Sequence, residues 1–136
     1  MDSLQRFIDA QEREYKIALR EIKNGKKESH WIWYIFPQLD GLGKSATSKY
    51  YSIKGIKEAN SYYNNEYLKN HLIEITNCLL NLENDNIRDI MGYPDYLKLK
   101  SCMTLFYHVS GNEIFKEVLT KYYDGKQDIQ TLKLLN

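Results

Sequence analysis

Apolar positions recur at steps of three and four through most of this 136-residue chain, the spacing that lines one face of a helix. Leu4, Phe7, Ile8, Gln11, Tyr15, Ala18, Leu19 and Ile22 mark the first such face and predict a helix over roughly residues 4–23. Asp2 or Ser3 can cap it, Asp2 and Gln5 having capping-box spacing, and Asn24-Gly25 ends it. Ile56, Ala59, Asn60 and Tyr63 predict a helix over roughly 56–63, and Leu68, Leu72, Ile75, Leu79 and Leu82 a longer one over roughly 66–82. Ile87, Ile90 and Met91 form an amphipathic turn or two stopped by Gly92. Pro94 suits the first turn of a helix that reaches about Val109 and buries Leu99, Cys102, Met103 and Phe106. Asn112 caps a helix with Ile114, Phe115, Val118, Leu119 and Tyr122 inward, and Asp124-Gly125 stops it. Asp128 caps a last short helix carrying Ile129, Leu132 and Leu135. No stretch alternates as a strand would. The pattern predicts a mainly α fold, a single compact domain over residues 1–136 with six to eight helices.

Residues 30–36 break the pattern. Trp31, Ile32, Trp33, Tyr34, Ile35 and Phe36 have no polar face, so periodicity does not separate strand from helix there. Ser29 as a cap and Pro37 as a stop favour a short buried helix. A glycine-containing loop over residues 38–44 follows, and Ser45 or Thr47 then caps another short segment with Tyr50, Tyr51 and Ile53.

Composition narrows the function classes. Hydrophobic residues at 43% and charged residues at 27% are ordinary for a globular protein, but 12 tyrosines are many. Tyrosine joins an apolar body to a polar tip, so these rings suit a core boundary or a cleft. A net charge of +1 argues against general nucleic-acid binding; only Lys23, Lys26 and Lys27, or Lys98 and Lys100, offer a local basic patch. Cys78 and Cys102 fall in apolar helical patterns, as buried thiols of a reducing cytoplasm do. No apolar run is long enough for a membrane span and no signal peptide opens the chain, so a cytoplasmic location is expected.

Two stretches hold the candidate chemistry. In the first, Gly43-Lys44-Ser45 resembles the end of a phosphate-binding loop, but Gln38 stands where that motif needs its first glycine. What remains is a weaker anion site from loop amides, Lys44 and a helix start at Ser45. His30, beside the aromatic run, is the candidate proton-transfer residue; the alternative is that it satisfies a carbonyl at a helix start. His71 reads as solvated and His108 as a core-edge residue. The three histidines and two cysteines lack metal-ligand spacing, so no metal or other cofactor is expected. In the second stretch, Gly92 to Ser101, Asp95 suits a helix start, Asp95 with Lys98 and Lys98 with Ser101 share a helix face, and Tyr93 and Lys100 flank them. A polar cluster projecting from one side competes there with an ordinary solvated face.

These same stretches, His30-Trp31-Ile32-Trp33-Tyr34-Ile35-Phe36-Pro37-Gln38-Leu39 with Gly41-Leu42-Gly43-Lys44-Ser45, and Gly92-Tyr93-Pro94-Asp95 through Lys98-Leu99-Lys100-Ser101 with Met103-Thr104-Leu105-Phe106, resemble the bacterial family catalogued as domain of unknown function 1810. The likeness runs from about Leu4 to Leu135 and implies a mainly helical fold without implying a reaction. The family pattern places a second acidic residue after the Pro-Asp pair; Tyr96 stands there in this chain, which argues against any scheme needing two carboxylates.

Two functions from different classes follow. In the first, a pocket joins the two stretches and takes a small anionic, nucleotide-like or phosphorylated ligand. Trp31 or Trp33 stacks on it, Gln38 orients it, Lys44, Ser45, Tyr93, Lys98 and Lys100 contact it, and His30 and Asp95 supply acid–base chemistry if a reaction occurs. In the second, the aromatic rings form a non-catalytic patch for a partner protein.

Overall fold

The computed structural model describes residues 4–136 and is mainly helical. Among the described residues there are nine helices: α1 (Gln5–Lys23), α2 (Ile32–Ile35), α3 (Ala46–Tyr51), α4 (Ile56–Asn64), α5 (Glu66–Leu80), α6 (Ile87–Met91), α7 (Asp95–Ser110), α8 (Glu113–Tyr123) and α9 (Ile129–Leu135). The count passes the expected six to eight because α2, α3 and α6 each form as separate short helices of four to six residues. The expected cap at Asp2 or Ser3 lies outside the described residues. None of the described helices is long and apolar enough to cross a membrane.

Local chemistry explains most of the boundaries. Past Asn24, the Gly25 amide bonds the Ile22 carbonyl and the Lys26 amide the Glu21 carbonyl, a Schellman stop that requires positive φ at Gly25, here 79°. Ser45, Asn65, Asn86, Asn112 and Asp128 each accept a backbone N–H from the first turn of the helix they precede. Ser29 does not cap α2, which begins only at Ile32; the Ser29 amide and hydroxyl are both bound to the Glu21 carboxylate. Pro94 occupies the N-cap of α7 rather than its first turn.

Helix α7 lies at the centre. Residues 101–106 are all buried, so the helix is covered on every side by α8, α4, α9, α6 and α2. A second layer pairs α1 with α5 and α2, and α5 with α8 and α4. The aromatic rings of Tyr62, Tyr63, Phe106 and Phe115 pack at centroid distances of 5.3–6.3 Å where α4, α7 and α8 meet. Cys102 is buried, and burial pushes its thiol well up; Cys78, expected to be buried as well, is half-buried. A lone bridge pairs Leu39 with Ile53, the Ile53 amide donating to the Gln38 carbonyl at 2.9 Å. That bridge fastens the glycine loop to the segment leaving α3.

Leu79 and Phe106 are fully buried at 0% exposure. Truncating either to alanine is expected to cost about 2–5 kcal/mol in a urea unfolding titration; an unmoved midpoint for both would contradict the packing.

Candidate functional site

The site begins with a carboxylate on the buried face of α1. Glu21 is 6% exposed and takes four hydrogen bonds from the segment that follows the helix. The amides of Glu28 and Ser29 donate to Oε1 at 2.8 and 2.9 Å, the Ser29 hydroxyl to Oε2 at 2.6 Å, and the Trp31 indole N–H to Oε1 at 2.9 Å. Burial by itself raises the carboxyl pKa, but these donors more than offset it and hold the group at about 2, against an ordinary 4.5. Gln11, also on the buried face of α1, donates to the Tyr34 carbonyl at 2.8 Å and the Tyr62 hydroxyl at 3.0 Å. The aromatic segment is thus tied to α1 at two places.

That attachment sorts the two tryptophans. Trp31 is fully buried and its N–H is committed to Glu21. Trp33 is half-buried, with the Lys98 ammonium 5.3 Å from its ring centroid. The Trp33 Nε1 atom is itself shielded from solvent and has no hydrogen-bond partner among the described residues. Trp33 belongs to a narrow crevice that encloses only about 10 Å³, room for about one water. Ile32, Phe36 and Tyr51 form its apolar walls, and Gln38 and Lys98 are its polar members besides Trp33. Ser48 and Ser52 complete the lining, and each is anchored. The Ser45 hydroxyl donates to Ser48 Oγ at 3.0 Å, and the Ser52 hydroxyl donates to Asp40 at 2.9 Å. Gly43 backs this wall: a Cβ there would lie 2.4 Å from that of Ser48 and 3.3 Å from Gln38 Nε2, so only glycine fits.

The two stretches therefore meet, through Trp33, Gln38 and Lys98. The stacking role expected of either tryptophan is geometrically open to Trp33, not to Trp31. His30 is exposed and is not among the crevice-lining residues; its carbonyl accepts the Tyr34 hydroxyl at 3.3 Å. Asp95 pairs with Lys27 at 2.8 Å and stands 4.0 Å from Lys98. Lys44 is exposed in its loop, and the Ser45 hydroxyl accepts from the Ser48 amide and donates to the Ser48 hydroxyl. Tyr93 is 72% exposed. Lys100, two positions beyond Lys98, points elsewhere on the helix and lies 5.9 Å from the Tyr123 ring. Ser101 does not project with Lys98; it is buried and donates to Asp128 at 3.1 Å.

His71, expected to be solvated, is half-buried. It stacks on Tyr15 at 3.6 Å and bonds Gln11 at 2.9 Å, and burial lowers its pKa. His108, expected at the edge of the core, is exposed and bonded to Gln127 at 2.7 Å. The residues that sequence reasoning passed over are Glu21 and Lys27. Glu21 carried a signal: a carboxylate beside Ala18 and Ile22 on an otherwise apolar face needs buried donors. Lys27 carried none beyond its place in a short lysine cluster.

A family described as "Protein of unknown function (DUF1810)" matches residues 1–135. The crystal structure of the conserved hypothetical protein Rv1873 from Mycobacterium tuberculosis is similar at 40% identity and a TM-score of 0.95, over 97% of this chain and 95% of that one. No curated protein matches the chain.

Because Glu21 titrates lower in the folded chain than in the unfolded one, its stabilisation is present above about pH 4.5 and is lost as pH falls toward about 2. The shift corresponds to about 3 kcal/mol. Glu21→Gln is expected to lower stability at pH 7 by about that amount and to flatten the acid limb of the stability–pH curve. Urea titrations from pH 7 down to pH 2 check it, and an unchanged acid limb would contradict the assignment.

Proposed function

The chain belongs to the DUF1810 family, and we propose that it binds a small molecule carrying an anionic group in the crevice between α2, α3 and α7. The observation that supports this most is that Trp33, a lining residue of that crevice, has an indole N–H shielded from water and unpartnered among the described residues. A buried donor without an acceptor costs about 1–3 kcal/mol. Such a cost is offset where a ligand supplies the acceptor. Lys98 adds a second donor and a positive charge, and among the described residues no carboxylate lines the crevice beside it. The set favours an acceptor-rich group, a carboxylate or a phosphoryl. The apolar walls suit a flat ring attached to it.

The enclosed volume of about 10 Å³ is far below the range of about 300–1,000 Å³ usual for drug-sized ligands and holds about one water, so the crevice must widen to admit even the anionic end of a nucleotide-like or phosphorylated molecule. Binding is proposed rather than catalysis, since His30 stands outside the crevice lining and Asp95 is held by Lys27. Free thiols at Cys78 and Cys102 support a cytoplasmic setting, and the mycobacterial structure a bacterial one. The competing reading, a docking patch for a partner protein, is favoured by the exposure of Tyr93, just before α7, and of Leu97, in its first turn.

Calorimetry with phenyl phosphate, benzoate, adenosine monophosphate and phenol decides between them. Trp33→Phe is expected to leave the free protein within about 1 kcal/mol of wild type while weakening the anionic probes about tenfold. Lys98→Met should weaken the anions and spare phenol. Anion affinities unaffected by both substitutions, or no binding of any probe, would remove the proposal.

A further inference from the structure

Lys27 is set deep beside the crevice, its side chain 6% exposed against 22% for Lys98. Its ammonium donates to the Ser29 carbonyl at 2.5 Å, faces the Trp31 ring at 4.8 Å and pairs with Asp95 Oδ2 at 2.8 Å. The other oxygen, Asp95 Oδ1, is 4.0 Å from the Lys98 ammonium, which in turn faces the Trp33 ring. One carboxylate thus stands between two cations and is shared unequally. Lys27 makes contact at hydrogen-bond distance. Lys98 is held only at the outer limit of an ion pair, where attraction is weaker and more screened.

We propose that Lys27 is a positioning residue for the crevice: by holding the Asp95 carboxylate, it leaves the Lys98 charge available to an anionic ligand group. The inference rests on the binding role proposed above and adds the source of its selectivity. Of the two cations on Asp95, only Lys98 is left without a carboxylate at hydrogen-bond distance, and the geometry puts that charge on the side where Trp33 stands. Among the described residues, the other ion-pair partner of Asp95 is Lys98. Without Lys27, Asp95 would draw that ammonium off the indole face and present an uncompensated negative charge to an arriving anion. The rest of the Lys27 neighbourhood is engaged in holding the chain: its amide donates to the Ile90 carbonyl at 2.7 Å, and Glu21 is saturated by its own four donors.

The test is calorimetry on the full chain with phenyl phosphate and phenol, using wild type, Lys27→Met and the double variant Lys27→Met/Asp95→Asn. Lys27→Met is expected to weaken phenyl phosphate about tenfold and leave phenol unchanged. Removing the stranded carboxylate in the double variant should restore phenyl phosphate to within about twofold of wild type. A merely structural role predicts the opposite, because the double variant lacks the ion pair as well and would bind as weakly as the single one or worse. Should Lys27→Met not fold, the double variant still decides, since its wild-type affinity is required. If wild type binds phenyl phosphate and Lys27→Met binds it equally, or the double variant remains weak, the positioning role is overturned and the ligand site stands. If wild type binds no anion, both fall.

Discussion

A carboxylate buried in a protein must be met by donors or not be charged, and the arrangement of this chain's site follows from how Glu21 is met. Its donors all come from the short segment after α1: two consecutive amides, a serine hydroxyl and an indole N–H. Satisfying Glu21 therefore fixes the path of residues 28–31 and delivers Trp31 into the core. Once Trp31 is inside, the single turn of α2 has little freedom in what it presents where. Ile32 and Ile35 join the core, and Trp33 remains half-buried, facing α7. One indole N–H is used by the fold and the other is not.

The charges around the crevice follow the same division. Lys27, Glu21 and Asp95 are engaged with groups of the chain itself at 2.5–2.9 Å. Lys98 has a ring and a distant carboxylate oxygen. These four charges sum to zero, so the positive character at the crevice rests on Lys98, the one of the four that lines it, and needs no basic face on the molecule as a whole. That agrees with the net charge of +1, and in the proposed binding role it suits a single small anion better than a polyanion.

How much of this the sequence disclosed depended on whether the controlling contacts were local. Helix faces repeat every few residues and caps act within one turn, so Asn112, Asp128, Ser45 and the Asn24-Gly25 stop were legible, as was the inward face of α5 and α7. Segment 30–36 was legible only as buried, because a run apolar on all sides carries no period; the start of α2 is set by Glu21, well outside the window in which a cap is sought. His71 misled for a similar reason. Its position on α5 looks polar, but Tyr15 of α1 covers it, and stacking across two helices leaves no trace in either one. The convergence of Trp33, Gln38 and Lys98 was anticipated as a meeting of two stretches. Which tryptophan would face the crevice depended on Glu21 and could not be read from spacing.

The claim at the centre of this account, that the Trp31 N–H is spent on Glu21 while the Trp33 N–H is reserved for a ligand acceptor, has a direct observable. The chain has two tryptophans and hence two indole resonances in a proton–nitrogen correlation spectrum. During a titration with phenyl phosphate, the resonance assigned to Trp33, by its loss in Trp33→Phe, should move and saturate. The Trp31 resonance should hold its position and exchange slowly with solvent. A Trp33 resonance that stays fixed while phenyl phosphate binds, or a Trp31 resonance that moves in its place, would contradict the division on which the site is built.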